Sequence, residues 1–239
     1  MPKQTFHNLP DAKRQRILDA AIAEFSTVAF EAASLNRIVK GAGIAKGSFY
    51  QYFDDLFDLF RWLVIEFLAR EKMAFIQSLG PPQGGDLFDQ IAWAIVGGMR
   101  WALAQPTHAA CGRQLWSHTN FGPLAKLQAE LHGIGHSQMR HILADGQKQG
   151  LVRMDVDLDV AAAMMAGLRD TVDLAMRLRL GFGPMDLATT PELEVDLDAV
   201  HDVVREVIHL MRLALGTGAS GGELHLEATP FARHLRGEE

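Results

Sequence analysis

One cysteine in 239 residues, Cys111, leaves no partner for an intrachain disulfide, so the sequence predicts a reducing compartment. No run approaches the ~18 continuous apolar residues of a membrane-spanning helix. The amino terminus, MPKQTFHNLPDAKRQR, lacks the apolar centre of a secretory signal. A soluble, cytoplasmic protein with no membrane partner is the expectation. Strand patterning is also missing: no period-2 alternation is sustained, and neither an internal repeat nor a heptad array occurs. Catalytic signatures are absent in the same way. There is no GxSxG elbow, no HExxH and no paired-cysteine motif, so no catalytic residue is expected. A stretch resembling a phosphate loop, GAGIAKGS, has its lysine before the glycine, where such a loop needs Gly-Lys-Ser. Asp155, Asp157 and Asp159 lack the glycine and terminal glutamate of a calcium loop and read as caps for a helix starting near Asp157.

A basic excess is missing too, since the formal net charge is −6. The charges are nevertheless unevenly placed. Residues 1–53 carry seven Lys and Arg against four Asp and Glu, a net +3, and the remainder carries 16 against 25, a net −9. A basic head on an acidic body fits a DNA-binding segment joined to something that leaves DNA alone.

What the sequence does have is helical periodicity. Residues 1–7 read as a loose arm, with Lys3 within reach of a phosphate. Pro10 and Asp11 open a helix carrying Ile17, Leu18, Ala21, Ile22 and Phe25 on one face. Lys13, Arg14 and Arg16 on it are candidates for DNA backbone contact. Further helices are expected from Asp54 or Asp55 to about Gly80, then over 86–105, 107–119, 122–149, 157–180 and 196–215. Pro81 to Gly85 reads as a linker. About nine helices result, and the fold class is all-α.

The stretch from Ser34 to Phe53, SLNRIVKGAGIAKGSFYQYF, organises the rest. Ser34 is suited to cap a helix whose Leu35, Ile38 and Val39 share a face. Gly41, Ala42 and Gly43 make a tight bend, which Ile44 plugs. Ala45 to Gln51 reads as a second short helix, with Phe49 and Phe53 inward and Lys46, Ser48, Tyr50 and Gln51 outward. That is the economy of a helix-turn-helix.

The Ala42-Gly43-Ile44 turn, the run Lys46-Gly47-Ser48-Phe49-Tyr50 and the closing Tyr52-Phe53 pair resemble the DNA-binding segment of the TetR (tetracycline-repressor-like) family of bacterial regulators. Two positions depart from that pattern: Ala29 stands where glycine is usual, and Leu56 where a phosphate-binding lysine is common. The resemblance implies a three-helix head, residues 8–53, on a helical effector-binding and dimerisation body, residues 54–215, followed by a flexible tail, residues 216–239. It implies a homodimeric, ligand-released repressor acting on a pseudo-palindromic double-stranded DNA operator. Ser34, Arg37, Lys46, Gly47, Ser48, Tyr50, Gln51 and Tyr52 would contact DNA. The last two long helices, 157–180 and 196–215, would form the dimer.

For a small-molecule effector the candidate lining is Trp93, Arg100, Trp101, Trp116, His136, Met139 and Met165, with Met99, His118 and Gln138 nearby in pattern. Plain core packing is the competing reading of the apolar members. His132 and His136 lie four apart, a metal-ligand spacing with His118 and His141 as further candidates. No carboxylate or cysteine companion accompanies them, so no metal and no cofactor is expected. Two other classes stand beside the regulator: an inducer-free DNA-binding, nucleoid-associated or interaction protein of the same fold, and a helical enzyme with its chemistry in the acidic body.

Overall fold

A computed structural model describes residues 1–80, 82, 85–116, 122–184, 186 and 196–218. His118 and the tail beyond residue 218 lie outside the described residues. Among those described the fold is all α, with twelve α-helices and one isolated β-bridge, Val152 to Gly216. Two compact units are present: Met1–Met73 with Ala104–Gln128, and Ala74–Leu103 with the described part of Ala129–Glu239.

The first unit begins with α1 (Gln4–His7) and α2 (Asp11–Thr27). The arm expected at residues 1–7 is therefore ordered, because Phe6 buries its whole ring against Phe53 and Trp62, with centroids 4.8 and 5.2 Å away. α2 opens at Asp11, directly after Pro10, as expected. A short 3₁₀ turn, Phe30–Ala32, follows, and Ala29 enters it at φ −59° and ψ 150°, a conformation open to any residue. The glycine usual there is not needed. Next come α3 (Leu35–Ala42) and α4 (Lys46–Phe49), shorter than the 45–51 helix expected. Asp55 then caps α5 (Leu56–Trp62), its carboxylate accepting from the Asp58 amide at 2.7 Å. A π-helical turn, Leu63–Leu68, carries the chain on into α6 (Ala69–Ser78). α8 (Pro106–Arg113) packs on α2 and buries Ala110 and Cys111. It ends six residues before the position the sequence predicts.

In the second unit, α7 (Leu87–Ala104), the part of α9 (Gly122–Lys148) after Gln128, α10 (Leu158–Ala166), α11 (Leu168–Leu180) and α12 (Leu197–Leu215) supply the core. Phe88, Val96, Leu143, Met165, Val172, Met176, Val204 and Ile208 meet there. The single helix expected over 157–180 is two, broken at Gly167, whose ψ of −2° leaves the helical range. Asp157 caps α10 with bonds from the Asp159 and Val160 amides, as its sequence position predicts. Arg212 of α12 reaches Asp86 and Asp89 at 2.9 and 2.7 Å, and its guanidinium lies 5.6 Å from the Phe88 ring. Gly216 and Thr217, expected in the tail, are tied down: Thr217 N donates to Leu151 O at 3.2 Å.

Candidate nucleic-acid interface and body residues

The head is built on an ion pair between the buried Glu24 and the exposed Arg37. Glu24, on the inner side of α2, takes both Nε (2.9 Å) and Nη2 (2.6 Å) of Arg37 on α3. It also accepts from the Ser34 amide at 2.7 Å, while Arg37 Nη2 donates to Ala32 O at 2.8 Å. Hydrogen bonding from Arg37 holds the Glu24 carboxyl below its usual range, although burial opposes this. Arg37 thus fastens α3 to α2. Ser34 caps α3, its hydroxyl accepting from Arg37 N at 3.4 Å.

Close approach and turning both depend on glycine here. A Cβ on Gly41 would lie 3.2 Å from the Ala20 methyl of α2. Gly43 closes α3 at φ 65°, the left-handed conformation that β-carbons resist. The chain then turns into α4, where Phe49 and Phe53 are fully buried. Lys46, Gly47, Tyr50 and Gln51 are exposed and Ser48 is half-buried. Tyr52 differs from the others. It is only 4% exposed, its ring lying 6.2 Å from Phe6 with Lys13 Nζ 5.8 Å from the ring centroid. Of the other α2 cations, Arg14 pairs with Asp11, and Arg16 Nε donates to Ala42 O at 3.5 Å. Sequence reasoning could not see these inward bonds, because Glu24 and its partner stand 13 residues apart.

Residues 17–61, spanning this motif, match the sequence pattern of "Bacterial regulatory proteins, tetR family". The crystal structure of a TetR family transcriptional regulator from Chloroflexus aurantiacus J-10-FL superposes with a TM-score of 0.62 at 28% identity, covering 90% of this chain and 99% of that one. Residues 17–61 thus carry the TetR-family helix-turn-helix pattern. The Escherichia coli (strain K12) protein named "Probable acrEF/envCD operon repressor" is 26% identical over 157 residues, which are 64% of this chain and 71% of that protein. The regulator FadR from Bacillus subtilis, crystallised with stearoyl-CoA, shares the fold with a TM-score of 0.59 at 18% identity, over 82% of this chain and 96% of its own. The head is accordingly a DNA-binding helix-turn-helix of the TetR type. No helix among the described residues is long and apolar enough to cross a membrane.

The candidate effector residues fall in different surroundings. Met165 lies in the core of the second unit, and Met139 packs against that core. Arg100 is 5% exposed, with Nη2 at 3.4 Å from Nε2 of His201, itself 4% exposed. The sequence reading missed His201, which α12 brings to α7 from 101 residues away. Burial lowers the pKa of both, and for His201 the Arg100 charge lowers it further. Trp93 is half-buried and Trp101 buried on α7, while half-buried Trp116 belongs to the first unit. His136 lies at the surface side of α9, 3.1 Å from Asp159 O. A cavity of about 260 Å³, bounded by Gly85, Gln90, Asp145 and Leu151 among others, contains none of the seven candidates. It falls below the roughly 300–1,000 Å³ of ordinary ligand pockets.

Cys111 is fully buried in the first unit, and burial pushes its thiol up to about 12. It is thereby a poor nucleophile and a poor redox sensor. Among the described residues no three His, Cys, Asp or Glu side chains converge as a metal site would require.

Proposed function

We propose that the protein is a homodimeric repressor that reads a pseudo-palindromic operator and leaves it when a small molecule enters the body. One observation carries the reading: α4 turns Phe49 inward, while Lys46 and Gly47 on it and Tyr50 and Gln51 just after it stand exposed. Lys46, Ser48, Tyr50 and Gln51 read bases or adjacent phosphates, with Gly47 allowing close backbone approach. Ser34 lies by the backbone-gripping side. Arg37 and Tyr52 act there chiefly through the head's internal order, because one is bonded to Glu24 and the other is largely covered.

The functional division we assign is a reading head over 8–53, an effector and dimer body over 54–215 and a tail over 216–239. The dimer uses 157–180 and 196–215, where Leu174, Leu178, Leu210 and Leu213 stand exposed. The effector site draws on Trp93, Arg100, Trp101, His136, Met139 and Met165 of the second unit; Trp116, in the first unit, is not counted with them. Buried Arg100 favours an anionic group on an otherwise apolar molecule, a chemistry compatible with the stearoyl-CoA found in the FadR structure. Binding would favour a dimer state whose heads no longer match the half-sites.

Selection from a random duplex pool tests the reading. A two-fold symmetric consensus, released by one class of ligand, is the expected result. Enrichment of no sequence by folded protein would instead favour the inducer-free alternative.

A further inference from the structure

The four-residue α4 leaves the carbonyls at its exit without helical partners, the normal condition of a helix end. Beyond Phe49 only short-range bonds return, from Gln51 N to Ser48 O and from Tyr52 and Phe53 N to Phe49 O. The next three carbonyls are all met by one distant segment. Lys3 Nζ donates to Tyr50 O at 2.9 Å, Thr5 Oγ1 donates to Gln51 O, and Lys3 N donates to Tyr52 O at 2.8 Å. A cation at a helix carboxyl end also complements its dipole. The Lys3 ammonium is further tied to Asp54 Oδ1 at 2.8 Å. One residue after Thr5, Phe6 anchors the segment by inserting its ring between Phe53 and Trp62.

We propose that Lys3, Thr5 and Phe6 are positioning residues for DNA reading, clamping the exit of α4 so that Lys46, Ser48, Tyr50 and Gln51 are held in one presentation. The proposal rests on the reading of α4 as the recognition helix. A one-turn helix has little stability of its own, so its orientation is set by what holds its ends. At the amino end that is the turn at Gly43. At the carboxyl end it is this clamp. Lys3, which its charge marks as a phosphate contact, already spends its ammonium on Tyr50 O and Asp54.

The test compares wild type with a Lys3→Ala, Thr5→Val double variant, using the operator recovered by selection and a scrambled duplex over a range of salt. Phe6→Ala is kept as a second variant because it removes core and can unfold the head. Melting by circular dichroism confirms that the variants compared are folded. The clamp predicts operator affinity weakened about tenfold, scrambled-duplex affinity within about twofold, and an unchanged salt slope. It also predicts faster hydrogen exchange at the Tyr52 and Phe53 amides, and recovery of operator affinity when Lys3→Arg replaces Lys3→Ala. Equal losses on both duplexes, with the slope reduced by about 0.9 for each protomer bound, would make Lys3 a direct phosphate contact and overturn the clamp. Unchanged operator binding overturns it as well. A wild-type protein that selects no sequence overturns the DNA-reading proposal itself, a result visible before any variant is made.

Discussion

Glu24 and Arg37 hold the two long-sequence halves of the head together, with Nη2 of Arg37 2.6 Å from Oε1 of Glu24. The carboxylate is largely buried, and its second role is to accept from the amide of Ser34, the residue that caps α3. Removing its charge loosens both contacts at once. Glu24→Gln is expected to lower the melting temperature by several degrees. The pH dependence follows from the lowered pKa. Unfolded, Glu24 titrates near 4.5; folded, it holds its charge to lower pH. Its contribution is complete above about pH 4.5 and is lost as pH falls through the folded value. Wild type should therefore lose melting temperature in that acid range more steeply than Glu24→Gln. Parallel curves for the two proteins would show that the pair contributes nothing.

The helix-turn-helix was legible because its information is local. Ser34, Gly43, Phe49 and Phe53 take their places from spacing and turn chemistry within twenty residues. Helix order in the body was legible for the same reason, through apolar periodicity and the Asp157 cap. What was hidden depends on distance. Phe6 reads as part of a loose arm until Phe53 and Trp62 are brought beside it. The Glu24 to Arg37 bond and the Arg100 to His201 contact likewise join residues that no periodicity connects. The π turn at Leu63–Leu68 and the break at Gly167 interrupt continuous apolar patterns, so periodicity alone runs through them.

Lys46 and Tyr50 are exposed and outside the head's core, so their removal should leave folding intact. A Lys46→Ala, Tyr50→Ala variant is expected to melt like wild type while losing about 1–3 kcal/mol of operator affinity for each base contact removed. If one of the two instead meets a phosphate, its single variant weakens all duplexes alike and flattens the salt dependence. Fluorescence anisotropy on the selected operator and a scrambled duplex separates these cases. Full operator affinity in the double variant would remove α4 from the interface.

Leu178 on α11 and Leu213 on α12 are 78% and 63% exposed, next to Leu174 and Leu210 on two helices that pack together. Such exposure is costly on a monomer and natural at a subunit interface. Leu178→Glu with Leu213→Glu places like charges on the surface that would be shared by both protomers. The expected outcome in sedimentation velocity is a shift from dimer to monomer, with helical content preserved. Operator binding should weaken with it, because two half-sites then no longer bind as one unit. A variant that sediments as a dimer would exclude this surface from the interface.

His201 is buried beside a guanidinium, so it should remain neutral where an exposed histidine has already taken its proton. Burial is the larger cause and the Arg100 charge the next, and both lower the pKa from 6.5. As pH falls below about 6.5, the unfolded chain binds a proton that the folded chain refuses, so stability declines until the folded pKa is reached. Nothing is gained or lost above the unfolded value. His201→Gln keeps a polar side chain without the titration, and should flatten the decline in that window relative to wild type. Arg100→Met should raise the His201 pKa toward its ordinary value and narrow the window, because burial persists while the neighbouring charge is gone. Titration of the His201 ring by NMR reads both effects directly. A ring that titrates at or above 6.5 in the wild type would mean that it is hydrated, and that the Arg100 guanidinium is not against it in solution.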